Sequence, residues 1–251
     1  VSLGIEEVLR LSEQYRDCQL CPALVKSRTQ VVFGGGSASA PIFVLGEAPG
    51  ADEDEAGVPF WGRSGRLLMD MLIRVWPETE RAAEILAMEP DQSLDDQDAP
   101  YFEALRDYLD DYVFWANIVC CRPEENRNPG NSEVKACRDR LNRTIYAVDP
   151  LLILAMGKIA ISTLLGKVVP VSSKRGTIYD VAVPSPVTGH PVRYPAMALL
   201  HPSFLLRKGD QALVPEHQGE THKTVEDLRC AIHLLDAEYR SLYDSPFPER
   251  P

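Results

Sequence analysis

Two pairs of cysteines, Cys18-x2-Cys21 and Cys121-x15-Cys137, bracket a Gly46-Glu47-Ala48-Pro49-Gly50 turn. A Cys-x2-Cys turn can chelate one metal with both thiolates, and two further thiols from distant segments complete a set of four. Such a set suits either tetrahedral zinc or a [4Fe–4S] cluster, and spacing alone does not choose between them. Cys120 and Cys121 are consecutive on an extended stretch, so they face opposite ways and at most one joins the centre. Cys121 is assigned to it and Cys120 to the core. Cys230, within Leu228-Arg229-Cys230-Ala231-Ile232, is expected on the buried face of a helix. Six cysteines could instead pair as disulfides, but a chain of 251 residues with no signal-peptide pattern favours reduced thiols and metal ligation.

The turn at 46–50 offers backbone amides after an apolar run, with glycines that permit close approach to an anion or a carbonyl oxygen. The acids that follow, Asp52-Glu53-Asp54, would repel a phosphate, and nothing matches Gly-x4-Gly-Lys-Ser/Thr. Gly34-Gly35-Gly36 reads as a flexible connection. Phe60, beside Trp61, is either core or a platform on which a flat base stacks. Asn117 carries a donor and an acceptor on one amide, as reading a pyrimidine edge requires. Of five histidines, His201 alone directly follows an apolar run, in His201-Pro202-Ser203.

The elements that must position these groups follow from apolar periodicity. Strand-like runs at 41–45, 113–119, 151–156 and 195–200 alternate with helical stretches at 65–75, 99–109, 132–147, 158–165 and 224–242. That alternation predicts an α/β fold in one domain: a central, mainly parallel four-stranded sheet flanked by helices on both faces. Residues 178–183 are expected as a hairpin arm on a sheet edge. In such sheets the ligand crevice lies beyond the carboxyl ends of the strands, where Gly46–Gly50, Asn117 and His201 all fall. Net charge is −11, and residues 77–111 hold twelve acids against Arg81 and Arg106, so nearly all the excess is local. This stretch and 207–222 are expected as surface insertions in a domain spanning 1–251. No run approaches the roughly 18 apolar residues of a membrane span, and no basic, then apolar, N-terminal pattern occurs. A cytoplasmic protein is expected, or one of the host cytoplasm if phage-encoded.

Together these residues resemble the family 4 (iron–sulfur) uracil-DNA glycosylases of the uracil-DNA glycosylase superfamily. The resemblance is carried by Gly46-Glu47-Ala48-Pro49-Gly50-x2-Glu53-Asp54-x2-Gly57-x-Pro59-Phe60-x-Gly62-x2-Gly65. It continues in Asn117-x3-Cys121-Arg122-Pro123-x2-Asn126-Arg127-x-Pro129, Glu133-x3-Cys137 and His201-Pro202-Ser203. It implies that Cys18, Cys21, Cys121 and Cys137 hold a [4Fe–4S] cluster, with zinc as the alternative. It further implies that Phe60 stacks on a flipped base, that Asn117 reads its edge, that Glu47 attends the catalytic water, and that His201 addresses the base O2. Gly46, Ala48, Pro49 and Gly50 would line the substrate, with Ser203 beside His201 and Asn126 in the site loop. Ala48 matches the family's lack of an aspartate at that place.

The activity so implied is excision of uracil from DNA, leaving an abasic site, by a monomer acting on a flipped pyrimidine. The alternative is a base-modifying transferase like the phage thymidine-hypermodification proteins, which would need an amine or amino-acid co-substrate. A third reading is an inactive DNA-binding module.

Overall fold

The structure, a computed structural model, describes residues 2–88, 100–208, 219–243 and 245–248. Its centre is a sheet of β1 (Gly35–Gly36), β2 (Ile42–Gly46), β3 (Val113–Asn117), β4 (Leu152–Met156), β5 (Ile178–Pro184) and β6 (Pro191–Leu199), in the order β1-β3-β2-β4-β6-β5. The four expected strands are the inner four, mutually parallel. Every residue of β2, β3 and β4 is buried, the signature of a sheet covered on both faces.

The sheet is wider than the expected four strands because each edge carries an antiparallel addition. The expected hairpin arm is β5. The other edge, β1, comes from the glycine stretch read as a flexible connection. It has no apolar signature, and glycine is needed there because a Cβ on Gly36 (φ +100°) would lie 2.0 Å from the Val113 oxygen.

Helices α1 (Ser2–Tyr15), α2 (Pro22–Ser27) and α3 (Ala51–Ala56) precede α4 (Arg63–Ile73), whose residues from Gly65 onward are all buried. The acidic stretch supplies α5 (Glu80–Ala87), capped by the Thr79 hydroxyl, and α6 (Pro100–Leu109), which buries Tyr101, Phe102, Leu105 and Leu109. Residues 89–99 of that stretch, and 209–218 of the second expected insertion, lie outside the described residues. Then come α7 (Asn131–Val148), α8 (Gly157–Leu165), α9 (Val171–Lys174), α10 (Pro202–Arg207) and α11 (Glu220–Tyr243). Helix α1 packs on α7, while α6, α10 and α11 pack on α4.

Cys230 is exposed, contrary to the expectation of a core position. The helical period of α11 turns Leu228, Ala231, Ile232 and Leu235 inward and leaves position 230 outside, whatever the polarity of its sequence neighbours.

Candidate functional site

At the carboxyl ends of the parallel strands, Gly46 is paired with Asn117. The ladder runs on past both, with the Ile118 N–H on the Gly46 oxygen at 3.1 Å and the Val119 N–H on the Glu47 oxygen at 3.2 Å. A Cβ on Gly46 would meet Asn117 Oδ1 at 2.2 Å and Phe60 Cζ at 2.8 Å. The amide and the ring therefore converge on this α-carbon, and any larger residue would displace them. Asn117 and Phe60 are each only 5% exposed.

Phe60 holds a left-handed backbone (φ +55°), which costs a non-glycine residue about 1–3 kcal/mol and persists only where its surroundings enforce it. The surroundings do so. Arg106 Nη1 donates to the Pro59 oxygen at 2.8 Å and Arg66 Nη1 to the Trp61 oxygen at 2.9 Å. The ring tilts against Trp115, centroids 5.5 Å apart. On α4, a Cβ at Gly65 would be 1.8 Å from the Phe60 oxygen, so only glycine lets the helix come this close.

One carboxylate buckles the two loops together: Glu53 Oε2 accepts the Gly50 N–H at 3.0 Å and Oε1 the Gly62 N–H at 3.2 Å. Burial pushes the Glu53 carboxyl up, opposed by these amides. Glu47 is half-buried, and desolvation pushes its carboxyl above the usual carboxylate range. Its carboxylate makes no hydrogen bond among the described residues, which leaves it available to a water or a substrate. Ala48 is half-buried against the core, Pro49 is buried, and Gly50 is the N-cap of α3.

His201 ends the connection from β6 and caps α10. It packs over Gly157, whose Cβ (φ +89°) would stand 3.1 Å from that of His201. The Ser203 N–H donates to His201 Nδ1 at 3.1 Å, the Ser203 Oγ lies 2.8 Å from the same nitrogen, and Arg207 Nη1 donates to that Oγ at 3.1 Å. Burial of the ring, then the Arg207 charge, pushes the imidazole pKa down to about 4. The ring is thus neutral at ordinary pH, and because Nδ1 accepts a backbone N–H its proton sits on Nε2. Nε2 is then a donor at the same carboxyl end of the sheet as Asn117. The two strand ends are three strand spacings apart, about 14 Å between backbones, a gap that two side chains and a flat six-membered ring can span.

Asn126 stands apart from this group. It is exposed, on the 3-10 turn Glu124–Asn126 (φ +54°), with its amide oxygen taking Arg122 Nε at 2.8 Å.

Cys18, Cys21, Cys121 and Cys137 come from the turn after α1, the N-cap of α2, the segment after β3 and α7. The Cys21 thiol is pushed up to about 11 by burial and then by Cys137, Cys121 and Cys18, so the four share one electrostatic neighbourhood. Arg28 enters it, donating from Nη1 to Cys121 Sγ at 2.9 Å and from Nη2 to the Cys18 oxygen at 2.6 Å. Among the described residues, no three His, Cys, Asp or Glu side chains stand at metal-ligand spacing. Cys120 is buried, its thiol directed to the Phe33 oxygen at 3.7 Å.

The chain between Ser27 and Val32 joins this neighbourhood to the pocket loops. Ser27 Oγ donates to the Arg122 oxygen at 2.7 Å, and the Thr29 N–H reaches the buried Asp54 carboxylate of α3 at 2.8 Å. Val32 N–H donates to the Cys120 oxygen at 2.8 Å.

Sequence reasoning left several supports unassigned: Gly157 under His201, Arg66 and Arg106 on the Phe60 loop, Arg207, and the buckle made by Glu53. Gly157 had a signal, a glycine directly after an apolar strand. The arginines had none, since a buried guanidinium bonded to main-chain oxygens looks in sequence like any surface cation.

A family model described as the Uracil DNA glycosylase superfamily matches residues 33–229. The type-4 uracil-DNA glycosylase of Pyrobaculum aerophilum is 30% identical over 217 residues, 86% of this chain and 90% of that protein. That of Thermotoga maritima is 32% identical over 210 residues, 83% and 88%. That of Sulfurisphaera tokodaii is 31% identical over 205 residues, 80% and 79%.

Proposed function

The chain belongs to the uracil DNA glycosylase superfamily, and from that premise and the strand-end geometry we propose that it excises uracil from DNA by hydrolysing the N-glycosidic bond. The observation that carries this reading is the convergence of the Asn117 amide and the Phe60 ring on the α-carbon of Gly46, at the same carboxyl end of the sheet as a neutral His201.

In this mechanism the base is extruded from DNA, at a cost of a few kcal/mol, and stacks on Phe60. The Asn117 amide donates to one carbonyl of the base and accepts from its imide N–H. As the bond to the sugar lengthens, negative charge grows on the departing base. The Nε2–H of His201 donates to the base O2, a contact that strengthens as the charge develops. A neutral imidazole suits this task because it stabilises the anion without giving up its proton. Glu47 and the 46–50 main chain hold the water that attacks the sugar. With Ala48 beside it, no second carboxylate of this turn reaches that water.

Cys18, Cys21, Cys121 and Cys137 would hold the [4Fe–4S] cluster, with zinc as the alternative metal. The donor set fits: four thiols share one neighbourhood, and a guanidinium N–H already donates to one sulfur, as it would to a thiolate. When bound, the cluster supplies a cross-link among the N-terminal helices, the segment after β3 and α7. Ser203 holds the His201 tautomer, and Asn126 serves the loop that borders the DNA. The partner is DNA, the working form a monomer and the compartment the cytoplasm. Among the described residues no helix is long and apolar enough to cross a membrane.

The test is a uracil-containing oligonucleotide incubated with purified protein and scored for free uracil and alkali-labile breaks. Release that is abolished by His201→Ala and by Asn117→Ala supports the reading. Intact strands, together with a mass gain on DNA carrying an activated 5-methyl pyrimidine and an added amine, would replace it with the transferase.

A further inference from the structure

The acidic stretch 77–111 holds only two cations, Arg81 and Arg106. The Arg81 side chain is half exposed and pairs with Glu84 along α5, whereas Arg106, on α6, is buried. A guanidinium keeps its proton in a protein, so Arg106 carries a full charge inward and needs a counter-charge there. Asp110, one turn further on, provides it: Arg106 Nε lies 2.8 Å from its Oδ1 and 2.9 Å from its Oδ2.

The same carboxylate takes a second donor. Trp115 Nε1 donates to Asp110 Oδ1 at 2.6 Å, and the guanidinium carbon lies over the indole, 5.2 Å from the ring centroid. Both groups so fixed bear on Phe60, one through its main chain and one through its ring. Arg106 Nη1 donates to the Pro59 oxygen, and that carbonyl belongs to the peptide about which Phe60 holds its φ of +55°. The Trp115 ring meets the Phe60 ring at an interplanar angle of 48°. Trp115 and Asn117 are two residues apart on β3, so their side chains share one face of the sheet.

We propose that Arg106 is a positioning residue for base stacking: anchored by Asp110, it fixes the peptide before Phe60 while Trp115 sets the tilt of the ring, so that the acidic segment supplies part of the pocket receiving an extruded pyrimidine. This role rests on the flipped-base reading above and gives the segment a task beyond covering the sheet. A run this acidic reads as a solvated insertion, yet one of its two cations and one of its carboxylates close on the loop that carries Phe60.

The experiment is a double-mutant cycle of Arg106→Met with Phe60→Ala in the full chain. The probe is a duplex bearing 2′-fluorodeoxyuridine beside 2-aminopurine. The fluorine makes an oxocarbenium-like sugar harder to form, so the bond survives, and the gain in 2-aminopurine fluorescence reports the extruded base. Arg106→Met should lower the ratio of extruded to stacked base about tenfold, and slow single-turnover uracil release to match, with affinity for uracil-free duplex unchanged. In the Phe60→Ala background the same substitution should change the ratio by less than about twofold, because the ring through which Arg106 acts is gone. An equal loss in both backgrounds, or a lowered melting temperature with an unchanged ratio, would overturn the proposal. If Arg106→Met fails to fold, Asp110→Asn takes its place in the cycle with the same expectations, the Asp110 side chain being 34% exposed. Parent protein that extrudes the base yet releases no uracil from an ordinary substrate sinks the glycosylase reading and leaves the role of Arg106 standing. Parent protein that extrudes no base overturns both.

Discussion

At the strand ends each polar group has its place set by the polypeptide alone: Asn117 and Phe60 close on Gly46, Glu53 buckles two loops, and His201 is locked between Gly157, Ser203 and Arg207. Around the cysteines, four thiols from four segments share a neighbourhood with one guanidinium. The first region is held by hydrogen bonds and packing within the chain. The second is a set of thiol donors whose cross-link a bound metal would supply. Substitutions in the pocket should therefore cost rate while sparing the fold, and substitutions at the cysteines should cost the fold first.

His201→Ala tests that contrast hardest. Losing a donor placed to meet developing charge should slow uracil release by about a hundred- to a thousandfold, while the lost cap of α10 lowers the melting temperature by only about 2–4 °C. A drop in Tm as large as that of a cysteine variant would erase the distinction. Next comes Cys121→Ala, for which we expect the opposite pattern: loss of the absorbance near 400 nm and about 3 kcal/mol of stability, read as a Tm lowered by about 5–10 °C.

Gly46→Ala forces a methyl to within 2.2 Å of the Asn117 amide oxygen. Release should fall by about a hundredfold with DNA affinity intact, and a near-parental rate would show that the amide can move aside. Glu53→Gln keeps the shape but weakens the buckle across Gly50 and Gly62. The expected loss is about tenfold, accompanied by faster amide exchange in the 59–62 loop.

The smallest effect should come from Arg207→Gln. Burial is the main cause of the low His201 pKa and the Arg207 charge the lesser. A folded-state value near 4 against about 6.5 unfolded means that the neutral ring supports the fold above pH 6.5. That support drains away as pH falls toward 4, because the unfolded chain takes up the proton first. Removing the arginine should move the acid limb of the rate profile upward by less than about one pH unit.

The sequence made the inner sheet and the strand-end residues legible because both rest on local pattern: continuous apolar runs mark β2, β3 and β4, and polar residues at their ends mark Gly46, Asn117 and His201. It hid what rests on long-range fit. Gly36 of β1 pairs with β3 where the Val113 carbonyl leaves no room for a side chain. Cys230 sits among apolar neighbours in sequence yet faces outward, since helical rotation outranks local polarity. Helix α5 lay in a segment too acidic to show its period, although Ala82 and Ile85 are buried. The burial of Arg140 has no local signal, because its hydrogen bonds go to carbonyls more than twenty residues away.

The two margins of the sheet bear on how this chain behaves at high concentration. One ends in a ladder of two glycines, too short to template a strand from another molecule. The other, β5, terminates in Pro184 opposite Pro191, with an Asp180–Arg193 pair on its face, so an incoming strand would meet a missing donor and a charged pair. Grafting a longer, apolar sequence onto either margin should make the chain self-associate edge to edge, without touching the pocket.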